Sequence, residues 1–187
     1  MRCLHALALV LLLFASSLAT AERPRVAFET TAGVFEVEVF TDEAPVTSEN
    51  FLAYVDEAFF QDLIFHRVIE NFMIQTGGYT AELAEREPGD TIVNESVGGP
   101  RNLRGTLSMA RMRHPDSASA QFFINVRDNG HLDASGERPG YAVFGRVVSG
   151  MDVVDAISEV ETGTVEGMAD VPLEPVVITS VRRSPAP

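Results

Sequence analysis

Three polar side chains lie inside apolar, strand-like stretches of this sequence, where they could do chemistry. Arg67 and Gln75 lie in the run FHRVIENFMIQTGGY (65–79), and Gln121 opens the run QFFINV (121–126). A charged group is costly to bury without a partner, so an arginine in such a run usually serves a purpose. Two interpretations are open: a salt bridge that closes the core, or a guanidinium presented at an apolar pocket.

Strand alternation arranges these polar residues among large apolar ones. Successive side chains of a strand point to opposite faces, so Arg67 faces away from both of its neighbours. By the same rule Met73 shares a face with Gln75, and Phe123 shares one with Gln121. Aromatic and methionine walls with a few directed polar groups are the usual composition of a ligand pocket. Core packing with structural hydrogen bonds remains the alternative at this point.

Other catalytic chemistry has little support in the sequence. His66, His114 and His131 are far apart and lack the paired spacing of metal ligands. Ser108 lies in an apolar strand without a G-x-S-x-G elbow, and the one cysteine, Cys3, lies near the amino terminus. No phosphate-cradling glycine loop is present either. The sequence therefore predicts no metal, no cofactor and no covalent nucleophile.

The amino-terminal segment has the pattern of a secretory signal. Arg2 and His5 precede an uncharged run at 6–15, and small residues follow up to Ala19-Thr20-Ala21. We therefore predict a signal peptide at 1–21, cleaved before Glu22. The apolar run is short for a membrane-spanning helix, and no later stretch is long enough, so we expect no membrane span after signal removal.

The remainder, 22–187, has the length and composition of one globular domain. The formal net charge of the whole chain is −13. An acidic surface argues against a nucleic-acid partner, because binding to phosphates needs the opposite sign.

Hydrophobic periodicity predicts many short strands and two helices. The predicted strands cover 26–30, 34–40, 65–69, 72–75, 106–110, 121–126, 141–148 and 176–181. Helices are predicted after Ala44-Pro45 and over 151–160, and the segment with Gly163, Gly167 and Pro172 is predicted to be a loop. Short strands without a βαβ rhythm are typical of an antiparallel barrel with capping helices.

The first predicted helix has a clear apolar face. Phe51, Tyr54, Val55 and Ala58 recur at helical spacing on that face. Thr47 or Ser48 is the predicted amino-terminal cap, although the capping-box pattern is imperfect.

Four motifs extend this interpretation to a family. FHRVIENFMIQTGG, GTLSMAR, SAQFFINV and GYAVFGRVVSGMDVV, in this order and spacing, resemble the cyclophilin-type peptidyl-prolyl cis–trans isomerases. The resemblance covers nearly all of the chain after residue 25 and is strongest to the periplasmic branch of bacterial cyclophilins. It implies a mainly β fold, a closed eight-stranded antiparallel barrel capped by two helices.

The resemblance also implies roles for individual residues. Arg67 corresponds to the catalytic arginine, which stabilises the twisted amide, and Gln75 to the residue that orients that arginine and the substrate backbone. Substrate-binding positions of the family correspond to Phe72, Met73, Ala110, Arg111, Gln121, Phe123, His131, Leu132 and Tyr141. Neither a metal nor a cofactor is implied.

The implied activity is rotation about X–Pro peptide bonds, in the folding of exported proteins. The expected partners are proline-containing unfolded or exported polypeptides, met in the periplasm by a monomeric enzyme. The alternative function is a chaperone module that binds proline-containing segments with little turnover.

Three positions depart from the family pattern. His131 stands where many eukaryotic members have a tryptophan that contacts cyclosporin, Tyr141 replaces a histidine, and Thr76 replaces a glycine. The first two differences predict weak binding of cyclosporin. Residues 111–114 are more basic than the family norm and could tune which residue precedes the proline.

Overall fold

The computed structural model describes residues 22–185, so the predicted signal peptide lies outside the described residues. These residues form ten strands and two α-helices. In order, they are β1 (Arg25–Thr30), β2 (Gly33–Val39), α1 (Pro45–Asp56), β3 (Arg67–Ile69), β4 (Met73–Thr76), β5 (Thr106–Met109), β6 (Phe122–Asn125), β7 (Val143–Ser149), α2 (Met151–Ser158), β8 (Thr162–Val165), β9 (Met168–Pro172) and β10 (Ile178–Ser184). Within the described range, no helix combines the length and apolar character needed to cross a bilayer.

Eight strands form one curled antiparallel sheet in the order β10-β1-β2-β7-β5-β6-β4-β3. This confirms the predicted mainly β architecture of eight strands with two helices. The sheet is not the fully closed barrel that was predicted, because β3 and β10 remain its edges. The seam between them consists of an isolated bridge from Ile64 to Val177 and flanking backbone hydrogen bonds, such as Phe65 N to Val176 O at 3.1 Å.

The core of the sheet is filled by phenylalanines. The predicted alternation in β2 is confirmed, since Phe35, Val37 and Val39 are buried while the glutamates between them are only partly covered. Phe35 lies directly opposite Phe28 of β1, and the two rings stack with their centroids 5.0 Å apart. Aromatic pairs of this kind add stability beyond the area that they bury, so the first hairpin is firmly joined to the core.

Helix α1 covers one side of this core, but two local predictions for it were wrong. Phe51, Tyr54 and Val55 are buried as expected, whereas Ala58 is exposed because the helix ends at Asp56. The helix also begins earlier than predicted, and Ala44 at the cap position offers no side-chain hydrogen bond.

The missing cap of α1 is supplied from a distant loop. The Glu95 carboxylate accepts hydrogen bonds from the backbone N–H groups of Val46 at 3.1 Å and Thr47 at 2.8 Å. It also accepts one from the Thr47 hydroxyl at 2.7 Å. A negative charge at a helix amino terminus is stabilising, because it satisfies free N–H groups and the helix dipole.

Replacing Glu95 with glutamine should therefore lower the free energy of unfolding by about 1 kcal/mol, since the charge and one acceptor oxygen are lost. Urea denaturation of the variant and the wild-type protein measures the difference. Glu87→Gln is the matched control, because Glu87 is an exposed carboxylate of the same loop region. Equal midpoints for Glu95→Gln and Glu87→Gln would contradict the capping role.

The segment predicted to be a loop is a second, two-stranded sheet. Strands β8 and β9 pair through a turn in which Glu166 (φ 51°) and Gly167 (φ 86°) are both left-handed. Two successive left-handed residues are typical of a tight hairpin turn. The usual sequence signal is Asn-Gly or Asp-Gly, so Glu-Gly was not recognised as a turn of this type.

Candidate active site

A surface cavity of about 290 Å³ lies over strands β3, β4 and β6. We call it the groove. It is lined by Arg67, Phe72, Met73, Gln75, Ala110, Arg111, Phe123, Leu132 and Tyr141. The structure thus brings together nine of the eleven predicted site residues, from positions as distant as 67 and 141. The other two contact lining residues: Gln121 is hydrogen-bonded to Gln75, and the exposed His131 stacks on Phe72.

The floor of the groove is one cross-strand row. Arg67 of β3 is paired in register with Gln75 of β4, and Gln75 is paired with Phe123 of β6. Directly opposed residues of neighbouring strands have their side chains on the same face of the sheet. One cation, one amide and one aromatic ring therefore stand side by side on the floor, as strand alternation alone could not predict.

Arg67 is exposed at the groove and does not close the core. Its side chain is 45% exposed, whereas its neighbours His66 and Val68 are buried. This contradicts the interpretation of Arg67 as a core salt bridge and agrees with a guanidinium presented at a pocket. A fixed charge beside apolar walls can stabilise negative charge or a lone pair that develops on a bound group.

A second charge restrains the Arg67 guanidinium. The Asp170 carboxylate lies 3.6 Å from Arg67 Nε, and its strand β9 comes from the hairpin that the sequence did not reveal. Asp170 has a left-handed backbone with φ 63°, a conformation that aspartate tolerates better than most residues. Asp170 is therefore a functional candidate that sequence reasoning missed.

The Gln75 side chain is held by Gln121, the other predicted site residue with an amide side chain. Its Nε2 donates to Gln121 Oε1 at 2.9 Å, and among the described residues no hydrogen bond joins Gln75 to Arg67. The close approach of Gln121 depends on Gly78, because a Cβ atom there would lie 2.6 Å from Gln121 Nε2. Gln121 thus contributes to the groove by fixing Gln75.

One wall of the groove is anchored by buried asparagines. Asn129 Nδ2 donates to the Phe72 carbonyl at 2.9 Å and to Asn125 Oδ1 at 2.8 Å. The Phe72 ring stacks on the predicted site residue His131, with centroids 5.6 Å apart. Buried polar groups that satisfy one another rigidify their surroundings, so these asparagines fix the Phe72 wall. No local sequence pattern marks them as site residues.

The opposite wall combines aromatic and cationic contacts. The Phe123 ring meets the Tyr141 ring edge to face, with centroids 5.6 Å apart. The Arg111 guanidinium lies 4.7 Å above the Tyr141 ring, and its Nε donates to the Gly140 carbonyl at 3.1 Å. Arg111 is therefore held in place before any ligand binds.

His66 lies beneath the floor and carries no charge at neutral pH. Burial lowers the pKa of His66 to about 4; Gln121 and the Ile64 backbone oppose this shift, and the Arg67 charge adds to it. Its ring packs against Tyr79 with centroids 4.8 Å apart, and Nδ1 has no hydrogen-bond partner among the described residues. A neutral His66 places no second positive charge under Arg67.

The structure also locates the residues considered as metal ligands. His66 is buried beneath the floor, while His114 and His131 are exposed in separate loops. Over residues 22–185 no cluster of three or more histidine, cysteine, aspartate or glutamate side chains is placed to hold a metal ion.

Asp170→Asn should lower kcat/KM for the predicted X–Pro isomerisation by about 1.4- to 5-fold, because an exposed ion pair contributes roughly 0.2–1 kcal/mol to holding the guanidinium. Asparagine also tolerates the left-handed backbone, so the fold should be unaffected. Steady-state kinetics on an Ala–Pro peptide, with thermal melting as the fold control, tests this. An unchanged kcat/KM would exclude a positioning role for Asp170.

Several known proteins are similar to this chain over most of its length. The family model "Cyclophilin type peptidyl-prolyl cis-trans isomerase/CLD" matches residues 25–183. A peptidyl-prolyl cis-trans isomerase of Acinetobacter baylyi is 49% identical over 84% of this chain and 84% of its own length. Peptidyl-prolyl cis-trans isomerase B of Escherichia coli is 50% identical over 83% of this chain and 97% of its own length.

A solved structure shows the same fold. The crystal structure of a cyclophilin type peptidyl-prolyl cis-trans isomerase from Cryptosporidium parvum matches with a TM-score of 0.73. The match covers 88% of this chain and 99% of that chain, at 23% sequence identity. A second crystal structure of that protein, in the presence of the dipeptide Ala-Pro, matches with a TM-score of 0.72.

Proposed function

The chain belongs to the cyclophilin-type peptidyl-prolyl cis–trans isomerases, and we propose that the groove is its active site, with Arg67 as the catalytic residue. The observation that carries this assignment is the cross-strand row of Arg67, Gln75 and Phe123 on the groove floor. It supports a site that offers a fixed positive charge next to an apolar surface, with a hydrogen-bonding amide between them.

The chemistry of the reaction needs only such a site. An X–Pro bond prefers the trans form by about 0.5–1 kcal/mol, but amide resonance raises a rotation barrier of roughly 18–20 kcal/mol. In the twisted transition state the amide nitrogen becomes pyramidal and regains its lone pair. A catalyst therefore has to hold the proline ring and bind the twisted amide better than the planar one.

The groove residues divide these tasks. Phe72, Met73, Phe123 and Leu132 enclose the ring by apolar contact. The Arg67 guanidinium donates a hydrogen bond toward the proline nitrogen and the substrate carbonyl, which favours the twisted amide. Gln75, fixed by Gln121, binds the substrate backbone, and the backbone at Ala110 and Arg111 borders the bound chain. Asp170, instead of Gln75, orients the guanidinium.

Binding of an Ala–Pro peptide to the ¹⁵N-labelled protein tests the assignment of the groove. The expected result is chemical-shift changes concentrated at Arg67, Gln75, Phe123 and Leu132. The Cryptosporidium parvum structure in the presence of Ala-Pro supports this choice of ligand. Changes concentrated elsewhere, for example on the β1–β2 hairpin, would refute the assignment.

The cellular role is proposed from the amino-terminal sequence. A signal peptide at 1–21 would deliver the enzyme to the periplasm, where proline-containing segments of exported polypeptides are its substrates. The enzyme would act there as a monomer, as part of the bacterial periplasmic branch of the family. Cell fractionation tests this: we expect the protein, shortened by about 21 residues, in the periplasmic fraction, and an unprocessed cytoplasmic protein would contradict it.

The lining of the groove also bears on cyclosporin. His131 and Tyr141 occupy the positions that differ from many eukaryotic members, and both lie at the rim, where His131 stacks on Phe72 and Tyr141 meets Phe123. We therefore propose that cyclosporin binds weakly, because the tryptophan that contacts it in those members is absent.

A further inference from the structure

A second cavity, of about 330 Å³, adjoins the groove and is strongly basic. We call it the basic cleft. Its ionisable lining residues are Arg111, Arg113, His131, Asp133 and Arg138. Such a concentration of arginine is unexpected in a chain with a formal net charge of −13. Local charge of the opposite sign to the rest of a surface indicates a binding preference for an oppositely charged group.

Two of these arginines have no carboxylate partner in the fold. Within residues 22–185, no carboxylate oxygen lies within 4.0 Å of the guanidinium nitrogens of Arg113 or Arg138, and both side chains are exposed. Most other arginines of the described chain do pair with a carboxylate, as Arg104 does with Asp155 at 2.7 Å. Arg113 and Arg138 are therefore available to an external anion.

Asp133, the acidic residue of the basic cleft, does not neutralise Arg113 and Arg138. The Asp133 carboxylate accepts hydrogen bonds from the Asn102 backbone N–H at 2.7 Å and from Arg101 Nε at 3.0 Å. Burial alone would raise the pKa of Asp133, but the hydrogen bonds from Asn102 and Arg101 outweigh it and lower the pKa. Asp133 is thus already balanced by Arg101.

The basic cleft and the groove are continuous. Arg111, Leu132 and Tyr141 line both cavities, so these three side chains form a shared boundary. An extended polypeptide advances about 3.3–3.6 Å per residue. A client whose proline lies in the groove therefore reaches the basic cleft within a few residues on one side.

We propose that the basic cleft binds the carboxylates of aspartate or glutamate residues that flank the proline of a client, so that the enzyme prefers acidic segments. The proposal rests on the groove being the active site. Guanidinium groups match carboxylates in charge and in fork geometry. Because the cleft is exposed, the preference should be about fivefold in kcat/KM and should weaken with salt.

The test uses Ala–Pro peptides that carry two glutamates, either before or after the proline, and matched peptides with two glutamines. Exchange NMR at low salt should give a kcat/KM about fivefold higher for the glutamate peptide on one flank. The double variant Arg113→Gln/Arg138→Gln should lose this preference and keep the wild-type rate on glutamine peptides. The control Arg127→Gln/Arg146→Gln, with the same change in net charge at exposed sites outside the cleft, should keep the preference.

Equal rates for glutamate and glutamine peptides on both flanks would overturn the proposal. So would a preference that survives in the Arg113→Gln/Arg138→Gln variant. Failure of the wild-type protein to isomerise even the glutamine peptides is a separate result, because it would refute the active-site assignment itself.

Discussion

Replacing Arg67 with alanine should lower kcat/KM for an Ala–Pro peptide by about 10²–10³-fold, with little change in thermal stability. The loss corresponds to about 2.7–4 kcal/mol of transition-state stabilisation, which is typical when one preorganised donor to a developing charge or lone pair is removed. Stability should hardly change, since the side chain is 45% exposed and its ion pair with Asp170 is a surface contact.

A protease-coupled peptide assay measures the rate, and calorimetry measures the melting temperature. The matched control is Arg146→Ala, which removes an exposed strand arginine paired with Glu38 at 3.2 Å, outside the groove. Arg67→Lys should recover only part of the activity, because lysine keeps the charge but lacks the planar fork. A wild-type rate in a normally melting Arg67→Ala protein would disprove the catalytic role.

Acidification should destabilise the protein through His66. The pKa of His66 is about 4 in the folded protein and near 6.5 when the chain unfolds. Between these values the unfolded chain binds the extra proton, so stability falls as the pH drops from about 6.5 to about 4. The difference of about 2.5 between the two pKa values corresponds to roughly 3 kcal/mol of unfolding free energy, which is a large share of the stability of a domain of this size.

The variant His66→Gln isolates this contribution. Between pH 7 and pH 4, the unfolding free energy of the wild-type protein should fall by roughly 3 kcal/mol more than that of His66→Gln. Comparing each protein with itself at two pH values removes any constant cost of the substitution. His114→Gln, at an exposed histidine, should behave like the wild type. Parallel pH profiles for His66→Gln and wild type would show that His66 is not responsible.

The residue pattern predicted the faces of the strands well, because alternation is a local property. Arg67 is exposed at the groove while His66 is buried, and Phe123 lines the groove while Phe122 fills the core. Alternation cannot say which strands are neighbours. The pairing of Arg67 with Gln75 crosses only the short turn between β3 and β4, but the pairing of Gln75 with Phe123 depends on the register of β4 and β6, which are far apart in the chain.

The features that the sequence did not reveal are contacts between distant positions. Glu95 caps α1 from 48 residues beyond Thr47, so a search for local capping boxes cannot find it. Asp170 reaches Arg67 only because a hairpin with an uncommon Glu-Gly turn lies beside β3. Asn129 supports the Phe72 wall across 57 positions. Each depends on tertiary packing, for which short sequence windows carry no signal.

Exchange NMR on an Ala–Pro peptide tests the central claim most directly, because it separates turnover from binding. Uncatalysed isomerisation takes tens to hundreds of seconds, so cis and trans resonances do not exchange during a short mixing time. When the protein is added at a small fraction of the peptide concentration, we expect exchange cross-peaks between the two isomers. Line broadening or shifts on binding without cis–trans exchange would contradict the account and identify a module that only holds proline-containing segments.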